Sequence, residues 1–309
     1  GARYVDARRP PRRDGYPGPV PERPDLEYVV PILARELTGA AVAGVRADSP
    51  VVVRVLLPER LDALLPGEEI RRVARRAHAV VLELGGPRAL DLVISPMLAG
   101  RFSITLPGEK RIPTDLAFSL ILADGRELRY RDEVQMGKVY VLARGDLDKI
   151  PGLERVGLDV LDPRVFTAEA FRAAARGRRD LVKDFLMDKA ALDSLGNAYA
   201  DEVLFEAQVH PKAAVKGLSD EELDRLHGAI VRVLGDATRT IAERSPALDE
   251  KLRDFLKVRG RPGQPCPRCG DKLRRASVHG HDAIFCPSCQ PEDRRSASLH
   301  LRRLRREPG

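Results

Sequence analysis

A chain of 309 residues, against roughly 150 per domain, has room for two domains with real cores. Hydrophobic residues at 43% and charged residues at 32% are ordinary for a globular protein and exclude wholesale disorder. No apolar run approaches ~18 residues and no signal-peptide layout opens the chain, so a membrane span and secretion are excluded and a cytoplasmic protein is expected. The net charge of +7 is unevenly spread: residues 1–20 carry +3, residues 257–290 carry +5 and residues 291–309 carry +3, leaving −4 for residues 21–256. Basic ends of this kind attract a polyanion such as nucleic acid; the alternative for the two termini is a pair of solvated tails.

Residues 1–20 hold five Arg, four Pro and three Gly without a hydrophobic period. They read as a disordered extension or as sequence outside the mature protein. Val20 fits a GTG start codon, with the initiating methionine removed ahead of the small Pro21. From Asp25 to Leu37 apolar residues recur at helical spacing, and Pro31 is expected to kink or restart that helix. Eight short β-rich segments follow: Ala41–Val45, Val51–Leu57, Val80–Leu84, Leu90–Ser95, Phe102–Leu106, Ala117–Leu122, Glu127–Tyr130 and Lys138–Leu142. Turn signals such as Pro66-Gly67 and Asp124-Gly125 divide them in the pattern of an antiparallel sandwich.

After about residue 160 the period becomes helical, over Ala168–Arg176, Leu181–Leu192, Ala198–Gln208 and Asp220–Glu243, with Ser219 and Glu222 forming a capping box for the last. The expected fold class is therefore α+β: a β-sandwich lobe, a helical lobe and a cleft between them. The organisation read from this pattern is an extension at 1–20, a sandwich domain with its N-terminal helix at 21–148, a helical domain at 149–259, a cysteine module at 260–291 and a basic tail at 292–309.

The four cysteines form two knuckles, Cys266-Pro-Arg-Cys269 and Cys286-Pro-Ser-Cys289. Four thiolates at this spacing close on one zinc and leave no open coordination position, so the expected Zn2+ is structural and supplies the folding free energy of its module. A redox pair or chance pairs are the alternatives. Between the knuckles a hairpin is expected, with Arg274 and Arg275 beside it as phosphate contacts.

Two further segments carry little alone: Pro21-Glu22-Arg23-Pro24-Asp25-Leu26-Glu27, which reads as a helix start, and Leu195-Gly196-Asn197-Ala198, a tight turn between helices. In order with the sandwich and the cysteine finger, they make the chain resemble the formamidopyrimidine-DNA glycosylase and endonuclease VIII family of DNA-repair enzymes over nearly all of residues 21–290. The segment around Asn197 is similar to the family's helix–two-turn–helix.

That resemblance implies binding of damaged double-stranded DNA by a monomer, eversion of the damaged nucleotide, excision of its base and cleavage at the abasic sugar. It implies Pro21 as the nucleophile, whose free amine attacks C1′, and Glu22 as the acid that protonates the opening sugar ring. Asn197 would hold a phosphate, and Met97 would fill the void left by the everted base, with a buried core methionine as its alternative. Within a chain the Pro21 nitrogen is an amide and forms no Schiff base, so the reading requires Pro21 to be the first residue.

Several positions depart from the family's pattern. His78 stands for its usual lysine, His281 for the finger arginine and Ile94 for a histidine. Both His78 and His281 are expected to bind phosphates best when protonated, near or below a pKa of ~6.5. Glu133-Val134-Gln135-Met136 replaces an arginine-bearing wedge, and Thr240 to Val258 is too short for a long capping loop. Little activity on 8-oxoguanine opposite cytosine is expected, with better activity on oxidised pyrimidines, ring-opened purines or abasic sites. A bacterial, nucleoid-associated repair enzyme is the implied setting. The rival readings are a catalytically silent binder of damaged DNA on the same scaffold and a zinc-ribbon RNA-binding protein.

Overall fold

The computed structural model describes residues 21–86, 88–111, 115–193 and 195–292. The readings of residues 1–20, and of the basic tail from 293 onward, lie outside the described residues. The first element, α1 (Arg23–Leu37), buries Leu26, Val29, Val30, Leu33 and Leu37 along one face. Pro31 does not restart it: the helix runs unbroken through the proline.

The sandwich follows. Strands β1 (Val42–Arg46) and β2 (Val53–Val55) precede a short helix, α2 (Leu61–Leu64), and then come β3 (Glu69–Arg76), β4 (Ala79–Gly85), β5 (Leu90–Ser95), β6 (Arg101–Thr105), β7 (Leu116–Leu122), β8 (Glu127–Arg131) and β9 (Lys138–Ala143). One sheet has the order β2-β9-β5-β4-β3 and the other β1-β7-β8-β6. Pairing is antiparallel except that β2 runs parallel to β9, with Val53 opposite Val139.

Strand β4 explains its own legibility. Val80, Leu82 and Leu84 face the core shared with α1 and the second sheet, while Ala79 and Val81 face a smaller cluster with Leu142, Ile150 and Leu153. A strand covered on both faces reads as a continuous apolar run. Strand β3 reads as nothing of the kind, because its register slips between Ile70 and Arg72. The bulge puts the buried Ile70 and Val73 three residues apart amid exposed arginines, which breaks the period of two.

The helical lobe holds α3 (Ala168–Ala175), α4 (Val182–Met187), α5 (Asn197–Ala207) and α6 (Asp220–Arg244). Helix α6 starts on the expected capping box, with Ser219 accepting from the Glu222 N–H. Helix α4 stops well short of Leu192. From Asp188 the chain turns, and its backbone pairs with the segment at Leu158: the Leu158 N–H donates to Ala191 O at 2.9 Å and the Asp193 N–H to Leu158 O at 2.8 Å. Those bonds compete with helix continuation and bring Asp193 to the lobe boundary.

There Arg23 of α1 meets Glu27 at 2.6 Å, Asp159 at 2.7 Å and Asp193 at 3.2 Å. Arg75 of β3 meets the same three carboxylates at 3.1, 3.1 and 2.8 Å. Two forked guanidiniums shared among carboxylates of both lobes fix one lobe against the other, since each satisfies several acceptors at once.

Strands β10 (Arg274–Val278) and β11 (His281–Phe285) form the finger hairpin. It rests on α5 through a cluster of Phe205, Val258, Cys266, Leu273, Ile284 and Cys286. Beneath the cluster, buried Asp201 of α5 accepts from Lys183, from Arg259 at 2.8 Å and from the Ile284 N–H at 3.1 Å. Glu202 accepts from three consecutive N–H groups, those of Lys257, Val258 and Arg259, at 2.8 to 2.9 Å. One helix thus anchors both the linker and the finger. Among the described residues no helix is long and apolar enough to cross a membrane.

Candidate active site and nucleic-acid interface

Glu22 sits in the wall between the lobes. It precedes α1, is buried, and its carboxylate caps the N-terminus of α5: Oε1 accepts from the Ala198 N–H at 2.9 Å and Oε2 from the Tyr199 N–H at 3.2 Å. Helix N-termini favour a negative group there. Burial nevertheless outweighs the two N–H donors and the nearby Arg253 guanidinium, and raises the Glu22 pKa above the ordinary carboxyl value. The tight turn is needed for this seat, since a Cβ on Gly196 would overlap the Glu22 carboxyl group.

Asn197 is the first residue of α5 and so stands beside that carboxylate, with its Oδ1 buried and without a partner among the described residues. Pro21 precedes Glu22 and lines a cavity together with Asp25, Gly100, Arg101, Phe102 and Lys251. Asp25 shapes the segment, accepting from the Glu22 N–H at 2.7 Å and from both Nη atoms of Arg253 at 2.9 and 2.6 Å.

Met97 and the Glu133–Met136 stretch occupy neighbouring turns, at the ends of β5 and β9 where Ser95 pairs with Lys138. Met97 is 37% exposed, Val134 38% and Met136 45%, so the buried-methionine alternative does not hold. Asp132, silent in the sequence, builds the second turn: its carboxylate accepts from the N–H groups of Val134, Gln135 and Gly137 at 3.1, 3.1 and 2.7 Å.

His78 departs from expectation. Burial, and secondarily the Lys189 charge, push its pKa down to about 4 against a weaker pull from Asp193. Its Nδ1 is buried without a partner among the described residues. The ring is therefore neutral across physiological pH, and titration near 6.5 does not apply to it. Replacing His78 by Gln is expected to leave the change in DNA affinity between about pH 6 and pH 8 unaltered, as read by fluorescence anisotropy; a flattened profile would count against this.

Arg274, Arg275 and His281 are exposed on the finger hairpin and are not part of the Pro21 cavity. The four cysteine sulfurs lie within 4.8 Å of one another, with Cys266 and Cys289 Sγ atoms 3.8 Å apart and those of Cys269 and Cys286 3.5 Å apart. Tetrahedral coordination with Zn–S bonds of about 2.3 Å requires sulfur separations of about 3.8 Å, so the set fits one structural zinc. Elemental analysis is expected to give about one zinc per chain, and Cys286→Ser to lower that content; a metal-free, fully folded protein would refute it.

Three family models match the chain: the formamidopyrimidine-DNA glycosylase N-terminal domain over residues 20–139, its H2TH domain over 156–245, and the zinc finger found in FPG and IleRS over 263–291. A formamidopyrimidine-DNA glycosylase of Moorella thermoacetica is 34% identical over 266 residues, covering 83% of this chain and 94% of that protein. The chain belongs to the formamidopyrimidine-DNA glycosylase family. A second member, from Symbiobacterium thermophilum, is 33% identical over 88% of the chain and 90% of its own length. The fold also superposes, with a TM-score of 0.79 and 25% identity, on Lactococcus lactis Fpg (MutM) solved with DNA containing N7-benzyl-Fapy-dG, covering 88% of this chain and 100% of that one.

Sequence reasoning singled out Pro21, Glu22, Asn197, Met97 and the cysteines, and assigned nothing to Asp132, Lys251 and Arg253, which the structure places around them. The segment noted only as too short for a capping loop is the one that brings Lys251 to the Pro21 cavity and Arg253 to Asp25. No local spacing in the sequence marks either residue.

Proposed function

We propose that the chain is a DNA glycosylase with abasic-site lyase activity, acting on oxidised or ring-opened bases in double-stranded DNA. The observation that carries the reading is the placement of Glu22. A buried carboxyl group whose pKa burial raises, next to Pro21 and a cavity, is suited to donate a proton. In this reading Pro21, when its nitrogen is a free secondary amine, attacks C1′ of the everted nucleotide while Glu22 protonates the sugar ring oxygen. The base leaves, the amine gives up its proton and an iminium ion between Pro21 and C1′ remains; loss of a C2′ proton then expels the 3′ phosphate.

Asn197, His281, Arg274 and Arg275 are assigned to phosphates, and Met97 with Val134 and Met136 to the gap in the base stack. The Lactococcus relative was solved on DNA carrying a formamidopyrimidine lesion, which supports that substrate class here. An apolar Val134 cannot donate hydrogen bonds to an orphaned cytosine, so weak dependence on the opposite base accompanies the proposal. The protein acts as a monomer on the bacterial nucleoid.

The test uses two forms, the full chain and a chain beginning at Pro21, on duplex DNA containing a formamidopyrimidine base. The form beginning at Pro21 is expected to excise the base, to nick the strand and to be trapped on it by borohydride through Pro21. Absence of excision by both forms would overturn the assignment in favour of a silent DNA-binding protein.

A further inference from the structure

The family reading gives the lyase step to one amine, yet a second amine-bearing residue lines the same cavity. Lys251 follows α6 in the short segment that replaces a long capping loop, and it lines the cavity with Pro21, Asp25 and Arg101. The segment is held in place by packing and by charge: Leu248 packs against the sandwich core, the Tyr28 hydroxyl donates to Pro246 O at 2.8 Å, and Arg253 is clamped on Asp25.

We infer that Lys251 is a second Schiff-base-forming residue of this site, able to take a preformed abasic deoxyribose through the lyase step when the Pro21 nitrogen is acylated. The inference rests on the glycosylase and lyase reading above and adds a residue to it. Lysines become nucleophiles when desolvation or a neighbouring cation disfavours the ammonium, and both conditions hold here. Burial is the larger influence, with Arg101 from β6 and Arg253 from the same segment acting in the same direction. Asp25 from α1 and Asp132 beyond β8 oppose them, and Glu250 lines the same cavity.

The result is an amine with its pKa lowered to about 7. About half of it is neutral at pH 7, against roughly one part in a few thousand for an ordinary lysine. The other lysines lowered by burial do not share this placement: Lys183 is locked against Asp201, and Lys189 stands beside His78 and Asp193.

The chemistry balances without a cofactor. The neutral Nζ adds to the C1′ aldehyde carbon of the ring-opened sugar, and the carbinolamine loses water to give a protonated imine. Water removes a C2′ proton, the C–H electron pair becomes the C2′–C3′ double bond, and the 3′ phosphate leaves with the C3′–O pair. Hydrolysis of the imine releases the unsaturated aldehyde and restores the amine.

The experiment incubates the full chain, residues 1–309, with duplex DNA bearing a preformed abasic site and sodium cyanoborohydride, then maps the adduct by mass spectrometry of proteolytic peptides. The adduct is expected on Lys251, with yield rising from about pH 6 to about pH 8 and then levelling, where an ordinary lysine would keep gaining above pH 9. Lys251→Arg and Lys251→Met are each expected to lose about tenfold or more in trapping, while binding to a tetrahydrofuran-containing duplex stays within about twofold. An adduct on any other residue, or undiminished trapping by both variants, overturns the role of Lys251. The same reaction with the chain beginning at Pro21 separates the two failures. Trapping there through Pro21 alone, with none at Lys251 in either form, leaves the lyase reading standing; no adduct and no strand cleavage in either form removes both.

Discussion

Glu22→Gln, in a chain beginning at Pro21, is expected to slow base excision by about 10²- to 10⁴-fold, the usual contribution of a positioned proton donor. Affinity for the duplex should change little, because Glu22 faces the α5 N-terminus and carries no cationic group for phosphate. The protonated carboxyl is the working form, and burial raises its pKa. Single-turnover excision should therefore fall as pH rises through that raised value. The Gln side chain does not titrate, so its residual rate should lack this limb. An unchanged rate in the variant, or identical pH profiles for the two proteins, would remove Glu22 from the chemistry. Strand cleavage at a preformed abasic site should suffer less than excision, since no base has to leave.

Asp201→Ala should produce the largest loss of stability. It strips one carboxylate from buried Lys183 and from Arg259, and it removes the acceptor for the Ile284 N–H of the finger. Breaking a buried ion pair from one side costs about 3–5 kcal/mol, because the remaining charge stays enclosed without compensation. Urea unfolding monitored by circular dichroism should report that loss. Since α5 carries the finger, zinc release under a chelator should also accelerate. A destabilisation below about 1 kcal/mol would show that Lys183 finds another acceptor without cost.

The sandwich was legible because most of its strands are apolar on one face or both and are separated by turn residues, as in the coincident bounds of Leu90–Ser95. β3 was not, because a bulge erased its alternation. The metal site was legible from cysteine spacing alone, whereas the roles proposed for Pro21 and Glu22 come from resemblance and not from spacing. Arg253 was invisible for a different reason: its contact with Asp25 spans 228 residues of chain, and single-chain periodicity holds no record of such a pair. The His78 ring was misjudged because its position predicts a contact, while its charge depends on enclosure by the other lobe.

The seat of Glu22 couples chemistry to shape. Its pKa is raised by enclosure between a sandwich element and a helix 176 residues further along the chain. A substitution at the lobe boundary that admits water to Glu22 is expected to lower its pKa and to shift the pH limb of excision downward, although it touches neither the acid nor the substrate.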